Sequence, residues 1–188
     1  PMVCDPIRRM HCYPVSDGAI AMLIASEDRW KEFTDRPVWV SGFANCMDSY
    51  FPGDRDMADN FALKNAAKKA YAKAGVKDPA KEFDVVEVND CYAYQLPMWI
   101  EGLGLCGDDG SAAWIDADGM KTDNVNTSGG MLAGNPLMIG GLARAAEAVL
   151  QLRGDAGAHQ VENPRRALAH GTTGGAGQFH SVLILDKE

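Results

Sequence analysis

The chain has 188 residues, of which 46% are hydrophobic, 23% charged and 20 are glycine, and its formal net charge is −8. That is enough apolar material for one good core and part of a second, and too much for a disordered segment. Arg8-Arg9, Lys68-Lys69 and Arg165-Arg166 are scattered doublets, so the chain lacks the clustered basic face that a nucleic acid or an anionic membrane would require.

Asp17–Ala25 (DGAIAMLIA) is a continuous apolar run after a turn and predicts a strand covered on both faces. Glu27–Lys31 reads as a short helix or turn. Pro37–Phe43 (PVWVSGF) has β-branched and aromatic residues between proline and glycine, the pattern of a strand, and residues 45–60 read as an irregular polar loop. Phe61–Ala74 is rich in alanine and lysine, stops before Gly75 and predicts a helix. Phe83–Val88 (FDVVEV) predicts a strand that runs into Asn89-Asp90-Cys91-Tyr92. A helix follows over Tyr92–Leu103, with Pro97 either in its first turn or at a kink. Residues 106–130 read as a long loop rich in glycine and aspartate, of the kind that carries function. Ile139–Leu152 predicts a second helix, with Leu142, Ala145, Ala146, Val149 and Leu152 on one face and Gly154 closing it. Arg166–His170 and Ser181–Leu185 are the last strands, separated by GTTGGAGQ. Strands alternating with helices indicate a layered α/β domain with a largely buried sheet.

The five cysteines, Cys4, Cys12, Cys46, Cys91 and Cys106, are odd in number and irregular in spacing, and they form no CxxC. That pattern points to neither a disulfide framework nor a zinc site, and predicts reduced thiols in a cytoplasmic compartment. No apolar run has the length of a membrane span. A chain that opens on Pro1 within a strand-forming region reads as part of a longer polypeptide.

Three loops are candidates for chemistry, because open α/β sheets place ligands where strands hand over to helices. In the first, Cys91 follows a strand and precedes a helix, where a helix N-terminus would stabilise its thiolate; alternatively it is a small buried residue. The second, Asn126–Pro136 (NTSGGMLAGNP), has glycines that allow backbone N–H groups close to a ligand, or else it is a turn and helix cap. The third runs from His170 through Gly171-Thr172-Thr173-Gly174-Gly175 to Gln178, with His180 beyond; it could cradle a thioester, and it lacks the GK[ST] of a phosphate loop.

Taken in this order, the loops resemble the C-terminal half of thiolases. SDGAIAMLIASE (16–27) is similar to the segment that closes the thiolase N-terminal half, VNTSGGMLAGNP to the NxxGGxxxxGHP loop, and HGTTGGAGQ to the terminal glycine-rich turn. The resemblance covers nearly the whole chain. It implies an α/β, thiolase-like fold, α-β-α layered around a mostly buried mixed sheet. Residues 1–34 would end the N-terminal half, and 35–188 would form the C-terminal domain. NDCY at 89–92 resembles the HDCF of the sterol-carrier-protein type, whose cysteine exchanges protons with the substrate α-carbon.

On that resemblance Cys91 would be the general acid/base, Asn89 and Asn135 would hold the thioester oxygen, and His170 or His180 would tune the site. Ser128, Gly130, Gly134, Thr172, Gly174, Gly175 and Tyr92 would contact substrate. Asn135 replaces the histidine of GHP and Thr172 the cysteine of CxG, and an asparagine can donate to an oxyanion without acting as a base. Trp99, Trp114, Met98 and Met131 would line an acyl pocket or pack the core. The resemblance implies coenzyme A as substrate and no metal or redox cofactor in this chain. The implied partners are acyl-CoA, a thiolase N-terminal half carrying the nucleophilic cysteine, further copies in a homo-oligomer, and a small subunit with an OB-fold and zinc ribbon. The expected reaction is thiolytic cleavage or Claisen condensation of a 3-oxoacyl-CoA. Retro-aldol cleavage of a 3-hydroxyacyl-CoA and a non-catalytic acyl-CoA scaffold are the alternatives.

Overall fold

The structure is a computed structural model that describes residues 1–117, 124–136 and 138–187. In chain order its strands are β1 (Met2–Cys4), β2 (Ile7–Arg8), β3 (Val15–Ser16), β4 (Trp39–Met47), β5 (Val85–Glu87), β6 (Asn135–Pro136), β7 (Arg166–Thr173) and β8 (Phe179–Asp186). Its α-helices are α1 (Phe61–Ala74), α2 (Gln95–Gly102), α3 (Gly110–Asp116), α4 (Gly130–Ala133) and α5 (Gly140–Arg153).

The main sheet has the order β4-β8-β7-β5. β4 with β8 and β8 with β7 are antiparallel, and β5 with β7 is parallel, so the sheet is mixed. Val125 bridges Val86 on the outer side of β5, so residues 124–126 cover that edge. One face packs on α1 and α2 through Leu63, Ala66, Ala70, Val86, Trp99, Ile100, Leu168, Val182 and Ile184. The other packs on α5 through Val85, Ala145, Ala148, Leu152, Ala167 and Leu185. This is the α/β arrangement expected, helices on both sides of a mixed sheet.

Alanine explains how closely α1 lies on the sheet. Ala66 and Ala70 are completely buried, and a Cβ at Gly42 on β4 would stand 2.5 Å from the Ala70 carbonyl oxygen. The helix runs from Phe61 to Ala74 and stops at Gly75, whose φ of 69° is the left-handed cap expected of glycine. α5 likewise ends at Gly154 with φ 79°. Pro97 is the third residue of α2, where its missing N–H is one of the first-turn orphans, and the helix continues through it.

Four expectations are corrected. Asp17–Ala25 forms no strand; Leu23 and Ile24 are 72% and 84% exposed, since no strand among the described residues pairs with this run. Residues 106–130 are not one loop: a 3-10 turn, α3 and the bridge at Val125 lie within them, and 118–123 fall outside the described residues. α2 starts at Gln95 rather than Tyr92, because Cys91–Ala93 pair with His11–Tyr13 instead of coiling. Leu142 lies off the buried face of α5, which instead carries Arg144, Ala145, Ala148, Gln151 and Leu152. No helix among the described residues is long and apolar enough to cross a membrane.

Candidate active site

Parallel pairing of β5 with β7 sets the end of β5 beside His170, and the chain there breaks into Asn89-Asp90-Cys91. Asn89 and Asp90 are buried, at 4% and 3% exposure, so each polar group needs a partner. The Asn89 carbonyl accepts the Trp99 Nε1–H at 2.8 Å, and its backbone N–H donates to His170 Nδ1 at 3.4 Å. Asp90 Oδ1 accepts the Met131 N–H at 2.7 Å, which ties this loop to the start of α4. Gly130 has φ 64°, and a Cβ there would meet the Asp90 carboxylate at 2.4 Å, so glycine is required on both counts. Asn126 Oδ1 accepts the Val88 N–H at 2.7 Å and closes the other side.

Cys91 donates its thiol to Asn89 Oδ1 at 3.2 Å. Desolvation, then the neighbouring Asp90 carboxylate, pushes the Cys91 pKa up from its ordinary value. It is therefore a thiol at neutral pH, and the thiolate stabilised by a helix terminus is not what this environment favours. Tyr92 stacks on Tyr94 with centroids 5.7 Å apart and meets Tyr13 edge-on at 5.6 Å. The Asn89 amide reaches the first residue of α5: a Cβ at Gly140 would stand 3.0 Å from Asn89 Nδ2.

The second loop joins the first through the N-terminal segment. Tyr13 N–H donates to the Cys91 carbonyl at 2.9 Å, and Ala93 N–H to that of His11 at 2.9 Å. Two residues further on, Val15 pairs with Asn135 in the parallel β3–β6 ladder. Cys91 and Asn135 therefore flank the same segment, and Asn135 is buried at 4% exposure. It lies in β6 rather than at the start of α5.

Ser128 serves a different end. Its hydroxyl donates to Glu87 Oε2 at 3.0 Å and accepts from Arg144 Nη1 at 2.7 Å, and Arg144 meets Glu87 at 2.6 Å. Glu87 is completely buried and Arg144 nearly so. Thr127 and Gln151 extend this network to Glu147 and His159. Gly134 sits next to the Ser16 hydroxyl.

In the third loop, His170 Nε2 lies 2.9 Å from His180 Nδ1, and His180 Nε2 lies 2.8 Å from the Gly177 carbonyl. The partners assign the protons. Gly177 O can only accept, so His180 carries its proton on Nε2; its Nδ1 accepts from His170 Nε2–H, and His170 Nδ1 accepts from Asn89 N–H. Both rings are neutral and every ring nitrogen is used. Burial first, then His180, holds His170 well below the usual histidine range, and burial lowers His180 to about 4. Thr172 donates its hydroxyl to the Phe179 carbonyl at 3.0 Å, and Gly174 and Gly175 are exposed at the β7–β8 turn.

Cys91, Tyr92 and Asn135 thus lie along the segment His11–Ser16, with Asn89 beside Cys91, while His170, His180, Ser128 and Thr172 are occupied with internal partners. Sequence reasoning missed Asp90, the Glu87–Arg144 pair and Tyr13. A carboxylate inside FDVVEV and an arginine on the buried stripe of a helix were the available signals for the pair. Trp99 and Met131 are core side chains beside the site, as Met98 and Trp114 are in part.

Residues 45–187 match the family profile described as thiolase C-terminal domain-like. The acetyl-CoA acetyltransferase of Methanothermobacter thermautotrophicus is 40% identical over 187 residues, which is 95% of this chain and 48% of that protein. Sterol carrier protein 2 of Gallus gallus is 36% identical over 89% of this chain and 32% of its own. The chain therefore spans about a third to a half of the length of these curated relatives. The solved structure of an Ltp2-ChsH2(DUF35) aldolase superposes on 100% of this chain and 49% of its own, with a TM-score of 0.83 and 21% identity, a likeness of fold.

Proposed function

This chain belongs to the thiolase C-terminal domain-like family, and on that premise we propose that it supplies the proton-transfer side of a thiolase-type acyl-CoA C-acyltransferase. The observation that carries this reading is the neutral Cys91 thiol, held 3.2 Å from Asn89 Oδ1 at a strand-to-helix junction. The substrate is a 3-oxoacyl-CoA. In thiolytic cleavage, a cysteine elsewhere in the complete protein attacks the C3 carbonyl, and the C2–C3 bond breaks with its electron pair left on C2. The Cys91 S–H bond delivers its proton to that carbon and releases the C1–C2 fragment as acetyl-CoA, leaving the shortened acyl group on the attacking cysteine. The resulting Cys91 thiolate takes the proton of an incoming coenzyme A, whose sulfur displaces the acyl group from the other cysteine.

A thiol raised above its ordinary pKa is the right starting form for the cleavage direction, since the first act is donation. Condensation needs the thiolate first, so its rate should rise with pH through a value above that of a free cysteine. Asn89, whose amide lies beside the start of α5, and buried Asn135 present amide groups that can hold the thioester oxygen. The neutral histidines act behind them: Asn89 is fixed through its backbone by His170 and Trp99. The rest of the enzyme belongs to this reading too, with an N-terminal half that carries the nucleophile and further subunits completing the assembly.

Cys91→Ala in the complete polypeptide should lower kcat for 3-oxoacyl-CoA thiolysis by about 100-fold or more, while an acyl-cysteine adduct on the other half still forms and is seen by mass spectrometry. Normal turnover in that variant would remove Cys91 from the mechanism. A second reading, retro-aldol cleavage of a 3-hydroxyacyl-CoA, is favoured by one feature, the stacked Tyr92–Tyr94 pair beside Cys91 with an asparagine where a base would stand. It requires no acyl-enzyme, so the same adduct would rule against it.

A further inference from the structure

A cleft of about 430 Å³ opens between the loop before α1, the start of α2 and the β7–β8 turn, and neither Cys91 nor Asn89 nor Asn135 lines it. Tyr94 and Gln95, just past Cys91, form one wall, and Trp99 and His180, which hold the Asn89 loop, form the floor. The opposite wall is Arg55, with Asp48 and Asp56.

Arg55 is fixed in this wall. Its Nη2 donates to the Gly175 carbonyl at 2.7 Å, and the loop it belongs to is clamped to the same turn by Asp48 N–H to the Gln178 carbonyl at 2.9 Å and by Gln178 Nε2 to the Ser49 carbonyl at 3.3 Å. Arg55 Nε, however, is buried and finds no acceptor among the described residues. A buried guanidinium donor left without an acceptor is costly, so a group that brings an oxygen to it gains a charge-assisted hydrogen bond. The aspartates decide what kind of oxygen. Asp59 is paired with Lys64 at 2.7 Å, whereas Asp48 and Asp56 accept from backbone N–H groups of Ser49 and Ala58. Against the one positive charge of Arg55, those two carboxylates leave the wall net negative. A further carboxylate, on a ligand, is repelled there, while a hydroxyl or ketone accepts from Arg55 without adding charge.

The geometry points to this cleft as a subsite for the acyl end of the thioester, selecting an acyl chain that carries a neutral oxygen, with Arg55 as its specificity residue. This rests on the acyl-CoA reading above. The test uses the complete protein and three 3-oxoacyl-coenzyme A thioesters of equal chain length, whose far end is plain alkyl or carries a terminal hydroxyl or a terminal carboxylate. Both the dissociation constant and turnover are measured.

The wild type should bind the hydroxylated ester at least about tenfold more tightly than the alkyl one. Arg55→Leu should abolish that preference and leave the affinity for the alkyl ester unchanged. Asp48→Asn with Asp56→Asn, which keeps Arg55 and its tether, should improve binding of the carboxylated ester selectively. Equal loss for all three esters in Arg55→Leu, or tightest binding of the carboxylated ester by the wild type, overturns the assignment. Turnover reports separately. Binding preference without turnover would sink the acyltransferase reading and leave the subsite standing, and turnover without any effect of Arg55 would do the reverse.

Discussion

Glu87 puts a carboxylate among the buried valines of β5, and the fold answers it with Arg144 from α5 and two hydroxyls from the loop between them. Removing one partner of such a pair strands the other in a dry interior. Arg144→Ala should therefore cost about 3–5 kcal/mol, read from urea unfolding, whereas Glu87→Gln combined with Arg144→Met should recover most of that loss. Residue-scale electrostatics also governs Cys91. Its alkylation by iodoacetamide, followed by peptide mapping, should speed up with pH about a midpoint above that of a free thiol, because burial and the Asp90 charge both oppose the thiolate. Asp90→Asn keeps an acceptor for Met131 N–H but removes the charge, so the midpoint should move down toward the ordinary value. An unchanged midpoint would leave desolvation as the whole cause.

At the scale of elements, the β7–β8 hairpin and the Asn89 loop are joined by the two histidines. Because both are held below the usual histidine pKa, the unfolded chain binds protons that the folded one refuses. The stability they contribute is complete above the unfolded value of about 6.5 and is lost as pH falls toward about 4. Melting temperatures measured across that window should drop steeply for the wild type and more shallowly for His180→Gln. α1 and β4 supply a different test. With 2.5 Å between a Cβ at Gly42 and the Ala70 carbonyl, Gly42→Ala forces the helix off the sheet and should destabilise by about 1–3 kcal/mol in urea melts. The α1 boundaries were legible because both signals are local: alanine-rich propensity and a glycine cap. The start of α2 was not, since the pairing of Cys91–Ala93 with His11–Tyr13 is set by residues about eighty positions away in sequence.

At the scale of the whole molecule, among the described residues, α5 covers the face of the sheet beneath it chiefly at β5 and β7. On its other margin Val40, Phe43 and Met47 are 55%, 45% and 64% exposed, and Leu23 and Ile24 are exposed as well. The fold class was legible because three glycine-bearing loops occur in a recognisable order. The strand expected at Asp17–Ala25 was not realised, because apolar content alone does not supply a sheet to join. Likewise, a histidine flanking a glycine turn reads the same in sequence whether it faces a substrate or, like His170 and His180, uses both nitrogens internally. In the complete protein, Phe43→Ser and Met47→Ser should each destabilise as buried substitutions do if the rest of the polypeptide covers this margin. In the 188-residue chain by itself they should be nearly neutral and should reduce concentration-dependent association, measured by sedimentation.

The order β4-β8-β7-β5 also dictates when the sheet can close. β4 is among the first long strands made, yet its neighbour in the sheet is β8, whose pairing register runs from Trp39 with Asp186 to Met47 with Phe179. During synthesis β4 must wait with its hydrogen-bonding groups unanswered while the helices between them emerge. The β7–β8 hairpin, joined by a short turn, can form as soon as it leaves the ribosome and then offers β8 to β4 and β7 to β5 together. In a refolding experiment with pulsed hydrogen exchange, amides of the hairpin should be protected first and those of β4 last, the order in which loop-closure entropy falls due.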